Sequence, residues 1–121
     1  MRLLFDHNVD RRFRRHLVGH AIQTTREMRW ETLRNGLLLK AAADDGFEAI
    51  LCIDKNIEYE QNLKTLPLPV IVLDAQTNAV HGLMPFAPPL LKLLGAKLEK
   101  RLYFIEKNGD VVEVTTPRPR A

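Results

Sequence analysis

The chain has 121 residues, 45% of them apolar and 27% charged, with a formal net charge of +3 and a single cysteine. That is enough chain for one domain with a buried core, and it excludes a disulfide framework or a cysteine-based zinc site. The apolar run in "MRLLFDHN" is too short for a signal peptide, and longer stretches are broken by prolines or charges, so a soluble cytoplasmic protein without a membrane partner is expected.

Residues 2–5, "RLLF", read as a short buried strand. Residues 9–17, "VDRRFRRHL", read as a helix with Asp10 as N-cap and Val9, Phe13 and Leu17 inward. "HAIQTT" (20–25) alternates like a strand, and "GLLLKAAADDG" (36–46) is a helix closed by Gly46. "EAILCID" (48–54) and "LPVIVLD" (68–74) are continuous apolar strands, with "NIEYEQNLKTL" (56–66) helical in composition between them. Strands apolar on both faces and separated by helices predict a parallel sheet covered on both sides.

Residues 79–100 are helical in composition but interrupted by Pro85, Pro88 and Pro89, which predicts two helical pieces. "LYFIEKNGDVVEV" (102–114) predicts a hairpin with a type I′ turn at Asn108-Gly109, and "TTPRPRA" is expected to be disordered. The expected domain is thus single: a core of about 1–100, a hairpin of about 101–115 and a tail of 116–121.

Three of the strands end in aspartate: Asp6, Asp54 and Asp74. In a parallel sheet the strand C-termini share one edge, and neighbouring strands are only about 4.8 Å apart there, so carboxylates on neighbours converge. Converging carboxylates repel unless a cation intervenes, and Mg²⁺ or Mn²⁺ suits oxygen ligands beside a substrate phosphate. The plain alternative is that each aspartate bonds nearby backbone amides in a turn. Arg11 and Arg12 fall in a first helical turn, where positive charge opposes the helix dipole. They are candidate phosphate contacts together with Arg15, the alternative being a solvated helix face. The four histidines give no zinc-ligand spacing, Trp30 and Phe47 read as core, and no GxGxxG, P-loop or nucleophile elbow is present.

"LLFDHNV" with Asp6 and Asn8, Gly19-His20 before the second strand, "TLRNGLLLKAA" and "LCIDKNI" with Asp54 together resemble the small PIN-like proteins related to PIN nucleases and the Mut7-C domain, over roughly residues 1–95. The resemblance implies a three-layer α/β/α sandwich with a short central parallel sheet, here with a C-terminal hairpin added. It implies a metal-dependent ribonuclease, often the toxin of a toxin-antitoxin pair, with Asp6 and Asp54 as catalytic metal ligands, Asn8 shaping the first loop, and Mg²⁺ or Mn²⁺ as cofactor. Asn8, Arg11, Arg12, Arg15 and Lys55 are the expected nucleic-acid contacts. The expected partners are RNA, a small antitoxin-like protein and a second copy of the chain.

Where that family usually carries an aspartate opening the second helix, this chain has Asn35, a neutral and weaker Mg²⁺ ligand. Asn35 could still coordinate through its carbonyl oxygen, or Glu31 or Asp74 could supply the missing charge. The rival readings are a catalytically degenerate module that binds RNA or a partner protein without cleavage, and a phosphoryl-accepting α/β protein. The second lacks a clear Ser/Thr and Lys set at later strand ends.

Overall fold

A computed structural model of the chain describes residues 1–120, the side chain of Asn35 excepted; Ala121, the last residue of the expected tail, lies outside the described residues. One six-stranded sheet has the order β2-β1-β3-β4-β5-β6. Its strands are β1 Arg2–Phe5, β2 Ala21–Thr24, β3 Ala49–Cys52, β4 Val70–Leu73, β5 Leu102–Ile105 and β6 Val111–Val114. The first five are parallel, and β6 runs antiparallel to β5. Four α-helices accompany them among the described residues: α1 Asn35–Asp44, α2 Ile57–Glu60, α3 Val80–Leu83 and α4 Ala87–Leu94. The fold is therefore mixed α/β with a mostly parallel sheet.

Every residue of β3, β4 and β5 is buried, as expected for strands covered on both faces. On one face Phe5, Leu51, Leu73 and Ile105 meet Phe13, Leu83 and Leu90. On the other Leu4, Ile50, Cys52 and Val72 meet Leu38, Leu39 and Ala42 of α1. The connection from β4 to β5, through α3 and α4, lies on the same face as that from β1 to β2 but steps across the sheet in the opposite direction. Those two crossovers therefore have opposite hands, a departure from the uniform handedness usual in parallel sheets.

Several elements differ locally from expectation. Residues 11–16 wind as a 3-10 helix with i to i+3 bonds (Phe13 N to Asp10 O, 3.0 Å), yet Val9, Phe13 and Leu17 are buried as expected. Asp10 does cap it, accepting from Arg12 N at 2.9 Å. The helix expected over 56–66 is the single turn α2: Gln61 is extended, and Asn62 Oδ1 accepts from Lys64 N at 3.1 Å, giving the backbone an alternative to helix.

The hairpin turn is not type I′, which needs positive φ at both central residues. Gly109 alone has positive φ there (+93°), Gly109 N bonds Glu106 O, and Glu106 N bonds Asp110 O, giving a three-residue loop with a glycine bulge. The proline run does divide 79–100 into two helical pieces as expected: α3 ends at Leu83, Pro85 lies in a 3-10 turn, Met84–Phe86, and Pro88 lies in the first turn of α4, where its missing N–H costs nothing.

The tail expected to be disordered is anchored instead. Buried Glu58 of α2 accepts from Arg118 N (2.6 Å), Nη2 (2.7 Å) and Nε. The Arg118 guanidinium stacks over Phe104, and that of Arg120 over Tyr59. The side-chain bond from Arg118 holds the Glu58 carboxyl below its ordinary pKa against the opposing effect of burial.

Removing one partner of such a pair leaves the buried carboxylate unsatisfied, so Arg118→Ala is expected to cost about 2 kcal/mol by urea unfolding at pH 7, discounted because Arg118 is partly exposed. A carboxyl whose folded pKa is depressed stabilises above its unfolded value, about 4.3, and loses that contribution as pH falls through the folded value. The gap between wild type and Arg118→Ala should therefore narrow at pH 3, and an equal gap at both pH values would contradict the ion-pair account.

Candidate functional site

The chain steps from β1 to β2 on one side and returns across β1 to β3 on the other, so the strand order reverses between β1 and β3. Ligand crevices in open α/β sheets lie outside the strand C-termini at such a reversal. Asp6 follows β1 directly, and Asp54 lies two residues beyond the end of β3. The Phe5–Leu51 register extends one step further through a bond from Asp6 N to Leu51 O at 2.9 Å.

Both carboxylates line one cleft of about 560 Å³, floored by Leu38, Leu39, Ile50 and Cys52. Buried Cys52 reports their convergence: burial first, then the charge and hydrogen bond of Asp6 and the charge of Asp54, push its thiol well above its ordinary pKa. Each aspartate also serves its own turn, Asp6 Oδ1 accepting from His7 N (2.7 Å) and Asp54 Oδ1 from Asn56 N (2.9 Å). The turn role and the shared-cleft placement thus coexist in the same two residues.

The cleft walls carry charge of both signs: Arg26, Glu31 and Arg34 from the loop between β2 and α1, and Glu60 of α2. His7 is a strut of this wall. Its Nδ1 lies 2.8 Å from the hydroxyl of buried Thr25, and its Nε2 lies 3.0 Å from Leu33 O. Nε2–H donating to Leu33 O and Nδ1 accepting from Thr25 satisfy these two contacts, and Arg34 Nη1 lies 3.2 Å from the same Nε2, so the ring is held from three sides. Arg34 Nη1, donating to Glu31 O at 2.6 Å, is fixed beside it.

The expected site residues separate. Asp6, Asn8 and Asp54 come together, and Glu31 shares their cleft. Asp74 does not line this cleft; its carboxylate lies 3.5 Å from Lys55 Nζ, which also donates to Ala75 O at 2.9 Å. Lys55 thereby ties the exit of β3 to that of β4. Arg12 forms a double bond network with Asp10 (2.8 and 3.1 Å), which, with the Arg12 N–H, draws the Asp10 carboxyl down to about 2. Arg11 and Arg15 are exposed on that same 3-10 helix, which packs on the sheet face opposite the cleft floor. The Asn35 side chain is outside the described residues.

The cationic residues that do reach the cleft, Arg26 and Arg34, were missed, and so were His7 and Thr25. The strand-end rule that singled out Asp6 and Asp54 would have found Thr25 and Arg26 had it been applied to β2. Among the described residues no three His, Cys, Asp or Glu groups form a ready-made metal cluster. The donor set of Asp6 and Asp54 nonetheless suits Mg²⁺, which keeps several waters and is usually held by one or two carboxylates plus substrate phosphate.

Comparison of the chain with protein-family models, with curated proteins and with solved structures finds no match.

The placement of Cys52 makes a direct check of carboxylate convergence available. At pH 8 native Cys52 should react with a disulfide reagent far more slowly than the unfolded chain, because burial, and then the Asp6 and Asp54 carboxylates, disfavour its thiolate. Asp6→Asn should accelerate the native reaction severalfold. A rate indifferent to Asp6 would place its carboxylate away from the thiol.

Proposed function

We propose that the chain is a Mg²⁺- or Mn²⁺-dependent ribonuclease of PIN-like type, and that its sheet, apolar on both faces with helices against each, is the central layer of a three-layer α/β/α sandwich. The observation that carries the reading is the pairing of Asp6 and Asp54 in one cleft at the reversal of strand order. Arg26 and Arg34 on the wall of the same cleft support a phosphodiester substrate. The resemblance of the 1–95 segment to PIN-like proteins supports RNA, and a toxin role with a small antitoxin-like partner rests on that resemblance alone.

In this reading Asp6 and Asp54 would hold the cation while keeping their turn bonds. The cation supplies an activated water and charge neutralisation at phosphorus when bound. Arg34, steadied by Glu31 O beside His7, holds a non-bridging phosphate oxygen, and Arg26 screens the approach of the backbone. Leu38 and Leu39 form an apolar floor that limits water access from below. No covalent bond between protein and substrate is called for.

A second reading, binding of RNA or a protein partner without cleavage, is favoured by the backbone bonds that Asp6 and Asp54 already make.

Calorimetry with Mn²⁺, followed by cleavage of a mixed-sequence RNA on the same samples, separates the two. Wild type should bind Mn²⁺ and cleave, Asp6→Asn and Asp54→Asn should each lose about 100-fold or more in rate, equivalent to about 2.7 kcal/mol of transition-state stabilisation, and a chelator should abolish cleavage. Arg34→Ala should raise KM more than it lowers kcat. RNA binding in wild type without Mn²⁺ binding or cleavage would establish the second reading.

A further inference from the structure

Beside the acidic cleft lies a second crevice of about 440 Å³, formed where the loop after β4 faces the turn after β1. Its chemistry differs from that of its neighbour. Asn8, Gln76 and Asn78 offer three exposed amide side chains, Thr77 lies among them, and Ile53 and Ala75 form an apolar wall. No lysine or arginine lines it, and its single charged residue is Asp54. Asn8 and Asp54 belong to both hollows, so the two are continuous across the strand ends.

Phosphate contacts position a nucleic acid, whereas contacts to base edges specify its sequence. Arginines serve the first task, and amides paired with an apolar or aromatic wall serve the second, because an amide presents a donor and an acceptor together to a base edge. In single-stranded RNA the bases are unstacked and their Watson–Crick edges are open to such groups. We propose that this crevice receives the base of the nucleotide next to the phosphate that Arg34 holds beside the cation site of Asp6 and Asp54. Asn8, Gln76 and Asn78 hydrogen-bond its edge, and Ile53 and Ala75 lie against its face.

The loop carrying these groups is braced, as base reading requires. Asp74 N bonds Ile105 O at 2.9 Å, Lys55 Nζ bonds Ala75 O at 2.9 Å, and Thr77 Oγ1 accepts from Ala79 N at 3.1 Å. Gly82 of α3 sits directly beneath Thr77, where any side chain would collide with Thr77 Cγ2. The loop is therefore held at both strand exits and seated on a helix that approaches without a Cβ.

This inference rests on the ribonuclease reading for the neighbouring phosphate, and the experiment separates the two. The full ¹⁵N-labelled chain is titrated, without added metal, with each of the four ribonucleoside 5′-monophosphates and with inorganic phosphate, and the side-chain NH₂ signals of Asn8, Gln76 and Asn78 are followed. One or two of the bases should shift these signals, inorganic phosphate should not, and the Gln76→Ala/Asn78→Ala variant should weaken the favoured nucleotide about tenfold. In cleavage of a mixed-sequence RNA the same variant should flatten the base preference next to the cut while retaining Mn²⁺ binding. Cleavage with unshifted amide signals and an unchanged preference would overturn the base site and leave the nuclease standing. Base-selective shifts in a chain that neither binds Mn²⁺ nor cleaves would overturn the nuclease and support the crevice as a nucleotide site.

Discussion

Burial of the sheet on both faces is the constraint from which the rest of this molecule follows. β3, β4 and β5 bury every side chain, and β1 buries three of its four, so the sheet interior has no room for polar chemistry. Polar groups are displaced to the strand ends, where the backbone leaves the ladder and carboxylates can bond turn amides. Because the order reverses between β1 and β3, the connections leaving those two strands diverge, and the edge between them stays open. Asp6 and Asp54 stand on either side of that opening as a consequence of topology.

The same reversal explains why one opening has two chemically distinct flanks. Toward α1 the floor is the apolar cluster of Leu38, Leu39 and Cys52, and the wall is the charged loop after β2. Toward α3 the wall is the uncharged segment 75–78 of the loop after β4. The unusual hand of the crossover from β4 to β5 matters here, since it places α3 and its Gly82 on the face where that second loop needs a seat. With the opposite hand, α3 would pack beside α1 and the amide-lined crevice would have no brace from below.

The sheet was legible in the sequence because its strands are short, continuous apolar runs punctuated by glycine and aspartate, and the six strands fall where composition puts them. Element type away from the sheet was less legible for local reasons. Over 56–66 the helical composition of "IEYEQNLKTL" lost to the Asn62 turn, and over 11–16 the inward spacing of Val9, Phe13 and Leu17 held while the winding tightened. At the hairpin, Asn108-Gly109 marks the turn correctly but not its type, because three loop residues rather than two separate Glu106 from Asp110. The tail could not be read at all from composition: its order depends on Glu58, sixty positions away, being buried and requiring a cation.

The site shows the same division between what proximity in sequence encodes and what only the fold brings together. Aspartates at strand ends are visible in a single sequence, and Asp6 and Asp54 meet. Arginines are visible too, but which of them faces the cleft depends on which face of the sheet their element covers. The conspicuous cluster of Arg11, Arg12 and Arg15 rides a helix packed through Phe13 on one face, and Arg12 is drawn back onto its own cap, Asp10. The scattered Arg26 and Arg34 belong to the loop before α1 and line the same cleft as the carboxylates. A basic run thus signals net charge, whereas placement beside a strand C-terminus at the order reversal signals a place on the cleft wall. In this chain the two signals point to different arginines.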